Sequence, residues 1–324
     1  MANLLDERLF LLAMALYASA MLGGPRWLHR LIGTSMMVSA IQRIIERFAL
    51  RLNRSQRSDD TRRQRGMVLL LGGLVLVILL GVWLHQLAQH SALLSLIEML
   101  ILASLIPLRP LYEDVLQVTQ ALKKGQLEVA RKQAAPLARR DADMLDQFTL
   151  CRAALEYLAE NFADRILAPA FWYVLFGLPG ALSVVLVNHL DGLVGHRDRA
   201  HVAFGRWPAL CDDMLQFLPS RLSVVFLLLA TPIVPRTSLR RALRSLIQDS
   251  GRFISPNSGL PVSVMAGALG VALAGPRKRH GVLIEDGWTG SGTAKVTISD
   301  VRRGQMLYAI ACLLLILAVS AATL

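Results

Sequence analysis

Two carboxylates one helical turn apart form the first candidate site. Glu156 and Glu160 stand four positions apart in the stretch 152–169, so a helix would place both side chains on one face. Carboxylate oxygens arranged in this way can hold Mg²⁺. The same side chains could instead form ordinary helix ion pairs with Arg152 and Arg165. The stretch leads into an apolar run, so either arrangement would lie at a membrane boundary.

Further polar groups lie next to apolar runs. The stretch 186–197, "LVNHLDGLVGHR", carries Asn188, Asp191 and Arg197, and the acidic pair Asp212 and Asp213 precedes another apolar run. Such groups either mark the point where the chain leaves a membrane or a core, or they bind a polar ligand. The nearby histidines lack the spacing of a zinc site.

Two shorter stretches could bind an anion. The backbone amides of the turn 255–261, "SPNSGLP", could point at a phosphate, or the turn could simply cap the helix that follows. The stretch 139–146, "RRDADMLD", could hold a phosphate between its arginines, or it could be a solvated helix start. No standard nucleotide-binding loop occurs, so any nucleotide would be held in another way.

The composition favours the membrane class. The chain is 54% hydrophobic, and its mean hydropathy is +0.47. Its net charge of +12 comes from 35 basic and 23 acidic residues dispersed over many segments. This distribution favours a membrane surface or an anionic small molecule over nucleic acid as the partner. The three cysteines have no paired spacing, which predicts free thiols.

The hydropathy pattern predicts a mostly α, polytopic membrane protein with a single membrane-embedded domain over 1–324. About four full spans are expected, with re-entrant or interfacial helices and a small β-like cytoplasmic segment. The predicted spans are 9–24, 67–88, 92–108 and 305–322. A cytoplasmic helical segment at 109–165 and a site-forming region at 166–304 follow, the latter with re-entrant elements at 166–190, 222–235 and 260–275 and β-like pieces at 276–300.

The basic residues predict the orientation. Ten arginines lie between Arg26 and Arg65, so that loop should be cytoplasmic. We therefore expect a multi-pass protein of the inner membrane whose site faces the cytoplasm. Glu98 lies inside the third apolar run, where it could be functional or could serve a helix–helix contact.

Several blocks in order resemble the CbiB/CobD family of cobalamin-biosynthesis membrane proteins. The resemblance runs from about residue 20 to the carboxyl end. It is carried by "RAALEYLAEN…D…LAP…GLPGAL" at 152–182, "VNHLDGLVGHR" at 187–197, "FGRWPALCDDMLQFLPSRL" at 204–222 and "SPNSGLPVSVMAGALGVALAG" at 255–275.

This resemblance implies an ATP-dependent amide ligase that joins aminopropanol or its phosphate to a carboxylate side chain of adenosylcobyric acid. ATP and Mg²⁺ are the implied cofactors, the corrinoid is the implied substrate, and other cobalamin-pathway membrane proteins or a second copy are possible partners. Activating the carboxylate as an acyl phosphate would make it a better electrophile, and Mg²⁺ with arginines would offset the phosphate charge.

The resemblance also implies functional residues, position by position. For catalytic work these are Glu160, Asp164, Asp191, Asp212 and Asp213. For substrate or phosphate binding they are Asn161, Asn188, Arg197, Arg221, Ser255 and Asn257. For Mg²⁺ they are Glu156, Glu160, Asp212 and Asp213.

Some positions depart from the family pattern. Phe162 and His189 stand where the family usually has threonine, and Arg165 stands where a glycine is common. These departures leave an alternative open, namely a non-catalytic paralogue that acts as a scaffold or signalling partner. AmpE-type membrane proteins resemble such a distant relative.

Overall fold

The computed structural model describes residues 2–22, 47–48, 51–53, 56–138, 145–195, 202–253, 255–279, 282–284 and 287–323. Almost all regular structure within these ranges is helical, which confirms the predicted fold class. The helices are α1 (Ala2–Leu22), α2 (Asp59–Ala88), α3 (Ala92–Leu105), α4 (Leu108–Lys123), α5 (Leu127–Ala134), α6 (Gln147–Asn161), α7 (Ala168–Phe176), α8 (Leu178–Val194), α9 (Arg206–Ala230), α10 (Leu239–Asp249), α11 (Pro256–Leu269) and α12 (Ile298–Ala321). A π-helical segment, Phe162–Leu167, joins α6 to α7.

Four helical stretches in the described residues are long and apolar enough to cross a membrane. They are Asp59–Ala88, Ala92–Lys123, Arg206–Ile233 and Ile298–Ala321. Three of them contain predicted spans, and the protein is therefore a multi-pass membrane protein. In α2, only 11% of the most apolar window is buried within the protein.

The fourth long apolar stretch, Arg206–Ile233, was not predicted as a full span. Residues 9–22 of the predicted span 9–24 lie in α1, whose first turns also carry Asp6, Glu7 and Arg8, and residues 23–24 lie outside the described residues. Helix α1 is not among the four stretches found in the described residues. Residues 222–233 of the predicted re-entrant element 222–235 belong to a 28-residue helical stretch that begins at Arg206. The helix continues through Pro219, although a proline inside a helix removes one backbone hydrogen bond and crowds the preceding turn.

One compact unit comprises Met1–Pro107, Ala168–Phe217 and Val319–Leu324. In it, α8 packs against α2 and α7, and α3 packs against α1 and α2. The approach of α2 to α8 is close, because a Cβ on Gly81 would lie 2.7 Å from the Cα of Pro179. The break between α7 and α8 falls at Gly177, whose φ of 67° favours glycine. The two helices on either side of this break pack against each other.

A second compact unit comprises Leu108–Leu167 and Leu218–Ala318. Its centre is α11, which is buried along most of its length and packs against α6, α10 and the π segment. The helices α4, α5 and α6 pack against one another in the same unit.

Four short strands follow α11, in the region where β-like pieces were expected. They are β1 (Leu273–Ala274), β2 (Arg277–Arg279), β3 (Val282–Ile284) and β4 (Trp288–Thr289). The pairs β1–β4 and β2–β3 are antiparallel. Ala274 has a φ of 59°, a left-handed conformation that is uncommon for a residue other than glycine.

Candidate functional site

A polar cavity of about 560 Å³ lies within the second unit. Both signs of charge line it, which suits a ligand that carries charge itself. Glu160 and Asn161, two of the predicted site residues, are in its wall. The full lining is Asp114, Gln117, Gln133, Pro136, Leu137, Tyr157, Glu160, Asn161 and Arg165.

The helices α4 and α6 place the polar side chains of this cavity. Asp146 starts α6 as its N-cap, because its carboxylate accepts a hydrogen bond of 2.8 Å from the backbone N–H of Thr149. Three turns further on, the Tyr157 hydroxyl donates to Oδ2 of Asp114 over 3.0 Å. The Asn161 amide donates to the Tyr157 carbonyl over 2.8 Å. This chain of contacts fixes the directions of Tyr157 and Asp114 in the wall.

Tyr157 remains a hydrogen-bond donor at neutral pH. Burial is the main reason that the pKa of its hydroxyl is raised above the ordinary value of 10.0, and the negative charge of Asp114 raises it further. The positive charge of Arg165 acts in the opposite direction, and its guanidinium also hydrogen-bonds the hydroxyl. Tyr157 therefore links an acidic and a basic side chain of the cavity.

The π segment follows Asn161 directly and carries Asp164 and Arg165. A π turn widens the helix, and such turns occur frequently at functional sites. It brings Arg165 to the cavity wall. Asp164 is half-buried and is not among the residues that line the cavity.

One atom in the cavity wall lacks a partner. The amide oxygen of Gln133 is buried and accepts no hydrogen bond. An unsatisfied buried acceptor costs about 1–3 kcal/mol. A ligand with an N–H or O–H group would remove that cost.

The carboxylate of Glu156 contacts the backbone rather than the cavity. Its Oε1 accepts a hydrogen bond of 2.9 Å from the N–H of Ala274, and both residues are buried. Glu156 thus holds the left-handed residue of β1 against α6. Among the described residues, no group of three or more His, Cys, Asp or Glu side chains is arranged to hold a metal ion.

The polar residues of α8 and α9 meet in the first unit. The Asn188 amide donates to Oδ1 of Asp212 over 3.3 Å. Asp191 folds over the end of α8, where a Cβ on Gly195 would lie 1.9 Å from its carboxylate. Asp213, next to Asp212, is exposed. Two predicted site residues, Asn188 and Asp212, are therefore brought together.

The predicted phosphate-binding residues of α9 and α11 lie in the second unit. Asn257, in the first turn of α11, is buried and accepts a hydrogen bond of 3.3 Å from the Ser220 hydroxyl. Ser255 is the N-cap of α11, although its side chain makes no capping hydrogen bond. Arg221 follows Ser220 and is exposed. Arg197, the remaining predicted residue, lies outside the described residues, as does 139–144.

Glu98 lies in a separate cluster in the first unit. Its carboxylate is 1% exposed and lies 3.1 Å and 3.2 Å from Nδ1 of His85. The Tyr173 hydroxyl donates to it over 3.0 Å. These contacts join α2, α3 and α7, so the helix–helix role that the sequence left open is present.

Seven of the nine residues of the cavity wall were not predicted as site residues: Asp114, Gln117, Gln133, Pro136, Leu137, Tyr157 and Arg165. Tyr157 lies inside the block "RAALEYLAEN", but an uncharged aromatic residue at helical spacing is typical of a core. Asp114 and Gln133 lie on other helices, and nothing in the local sequence connects them to Glu160.

The comparison with protein families decides the assignment. The CobD/Cbib protein family matches residues 12–308. The chain belongs to the CobD/Cbib family. Curated CobD proteins extend this match to as much as 98% of the chain. The "Cobalamin biosynthesis protein CobD" of Sinorhizobium sp is 36% identical over 94% of each chain. The protein of the same name from Rhizobium meliloti (strain 1021) is 34% identical over 98% of each chain.

The CobD relatives also include one from Rhodobacter capsulatus, which is 36% identical over 89% of this chain and 88% of its own. No solved structure matches the chain. The family resemblance read from the four sequence blocks is therefore confirmed.

Proposed function

We propose that this chain forms an amide bond in cobalamin biosynthesis. The reaction joins aminopropanol or its phosphate to a carboxylate side chain of adenosylcobyric acid and consumes ATP. Membership of the CobD/Cbib family over residues 12–308 carries the proposal. The non-catalytic alternative is not favoured, because the full-length relatives carry the name of a cobalamin biosynthesis protein.

The polar cavity of the second unit is our candidate for the reaction site. Its donor set fits Mg²⁺ and a nucleotide, because Mg²⁺ is usually bound by one or two carboxylates together with substrate phosphates. Asp114 and Glu160 provide the carboxylates, and Arg165 provides a cation for a phosphate. The unsatisfied amide oxygen of Gln133 adds an acceptor for an N–H or O–H group.

The side chains of the cavity have distinct tasks in this proposal. When bound, Mg²⁺ and ATP would supply the phosphoryl group that activates the substrate carboxylate. Arg165 offsets the phosphate charge, and Tyr157 holds Asp114 and Arg165 in place. Glu160 or Asp114 takes a proton from the attacking amine. We place this site on the cytoplasmic side of the inner membrane, as the arginines before α2 suggest.

A reconstitution tests the proposal. The full chain, purified and placed in lipid nanodiscs, is given adenosylcobyric acid, ATP, Mg²⁺ and either aminopropanol or its phosphate. We expect a cobinamide product by liquid chromatography with mass spectrometry, together with release of ADP. Absence of product with both amines, from protein that remains folded, would refute the ligase assignment.

Two variants on one helix test the position of the site. Asp114→Asn changes the cavity wall and should lower turnover at least tenfold. Glu113→Gln is the matched control, because Glu113 forms a solvent-facing pair of 2.8 Å with Arg109 and is not in the wall. Equal activity of the two variants would mean that the reaction takes place elsewhere in the protein.

A further inference from the structure

Helix α10 has one buried face and a separate, exposed apolar face. One face carries Ala242, Ser245 and Asp249, is buried, and belongs to the packing of α10 on α11. The other carries Leu239, Leu243 and Ile247, which recur every four residues and are 39%, 40% and 80% exposed. Helix packing therefore accounts for only one of the two faces. We call the second set of three residues the outer stripe.

The outer stripe lies next to the ends of two membrane spans. The span Arg206–Ile233 ends in a residue that is 58% exposed, and only residues 234–238 separate this span from α10. The guanidinium of Arg303, near the start of α12, donates a 2.8 Å hydrogen bond to the carbonyl of Arg236. The end of one span and the start of another thus lie side by side at the base of α10.

The lipid boundary can be located on α12. Arg302 is exposed, and one turn later Met306 begins a row of exposed apolar side chains that continues to Leu313 and Leu317. A switch from an exposed arginine to exposed apolar residues is typical of the point where a span enters the hydrocarbon core. Because Arg303 contacts Arg236, α10 begins close to that boundary.

The surroundings of the outer stripe are strongly basic. Residues 234–253 contain five arginines and a single acidic residue, Asp249. Asp249 is already paired, because its carboxylate lies 3.0 Å from the Arg252 guanidinium and accepts hydrogen bonds from Ser245 and Gly290. Arg240 and Arg244, which flank the outer stripe, are both exposed.

We propose that α10 is an interfacial helix that binds anionic phospholipid. The outer stripe inserts between the headgroups, and Arg240 and Arg244 bind the lipid phosphates. An amphipathic helix with an apolar stripe flanked by arginines is the usual form of such a contact. Self-association through this face would oppose arginine to arginine across a two-fold axis, and this repulsion disfavours a second copy as the occupant.

Lipid-attached quenchers provide the test. A bimane fluorophore is attached to Ile247→Cys in a Cys211→Ser background, and the full chain is reconstituted in phosphatidylcholine vesicles with or without phosphatidylglycerol. Cys151 and Cys312 are buried and should not react. We expect quenching by nitroxide-labelled phosphatidylglycerol to exceed quenching by nitroxide-labelled phosphatidylcholine at equal mole fraction. Replacing Arg240 and Arg244 by glutamine should lower that ratio, by up to about fivefold per arginine.

Two control positions make the result specific. Gln248→Cys is next to Ile247, but it points about 100° away around the helix, so its label should be quenched by aqueous iodide instead. Leu317→Cys is exposed on α12 far from these arginines, so its label should be quenched by both lipids equally.

Three outcomes would overturn the proposal. A label at position 247 that responds to iodide as strongly as one at 248 would place the outer stripe in water. A label shielded from both iodide and lipid would mean that protein, such as a second copy, covers the stripe. Equal quenching by the two lipids, unchanged in the arginine variants, would exclude a preference for anionic lipid.

Discussion

The buried carboxylate of Glu156 allows a structural role to be distinguished from metal binding. The perturbation is a pair of substitutions, Glu156→Gln and Glu156→Ala. Glutamine retains an oxygen that can accept the hydrogen bond from the N–H of Ala274, whereas alanine removes it. In the alanine variant the N–H of Ala274 loses its acceptor. Water cannot replace this acceptor, because Ala274 is only 1% exposed.

The expected size of the effect follows from that burial. Leaving a buried backbone donor without a partner costs about 1–3 kcal/mol. For a folding unit of this size, each kcal/mol lowers Tm by about 2–4 °C. Glu156→Ala should therefore lower Tm by roughly 2–12 °C. Glu156→Gln should retain most of the wild-type stability.

Thermal unfolding in detergent micelles, combined with a Mg²⁺ titration of the ligase reaction, measures both effects. The structural role requires that Glu156→Gln remain folded, active and unchanged in its Mg²⁺ requirement. If Glu156→Gln instead raised the Mg²⁺ concentration needed for activity while keeping the wild-type Tm, the reasoning would be refuted. Glu156 would then be a metal ligand, as the family resemblance implies.

Three further predictions concern stability. Ala274→Gly should raise stability by about 1 kcal/mol in thermal unfolding, because glycine adopts the φ of 59° without strain, whereas Ala272→Gly should not. Tyr173→Phe should cost about 1 kcal/mol in SDS unfolding through the lost hydrogen bond to Glu98, and Tyr17→Phe, at an exposed position, should cost nothing measurable. Burial raises the pKa of the Cys151 thiol from 9.0 to about 12. The folded protein therefore retains this proton where the unfolded chain loses it. The corresponding stability is complete below about pH 9 and declines towards pH 12, and Cys151→Ala should reduce this decline in pH-dependent unfolding curves.

The membrane character and most of the helices could be predicted because they depend on local patterns. The uncharged run 67–88 predicted a span inside α2. The run 222–235 was predicted as a short re-entrant element, whereas the helix that contains its first residues already begins at Arg206 and continues through Pro219. The predicted span 9–24 extends past the end of α1 into residues outside the described ranges, so it stays a prediction.

The candidate site was only partly predictable. Glu160 and Asn161 were found because a family block contains them. Asp114 and Gln133 were missed because they reach the same cavity from α4 and α5, and their contact with α6 depends on tertiary packing. The hydrogen bond between the Glu156 carboxylate and the backbone N–H of Ala274 could not be predicted either, because the two residues are 118 positions apart in the chain.

The π segment 162–167 makes this region sensitive to insertions and deletions during evolution. A π turn is equivalent to one residue inserted into an α-helix, which rotates the following side chains by roughly 100°. The direction of Arg165 thus depends on the length of the segment as well as on its residue types. Loss of a single residue between Phe162 and Arg165 would turn the guanidinium away from Tyr157 while the residue itself persisted, so an insertion or deletion could abolish this contact without any substitution.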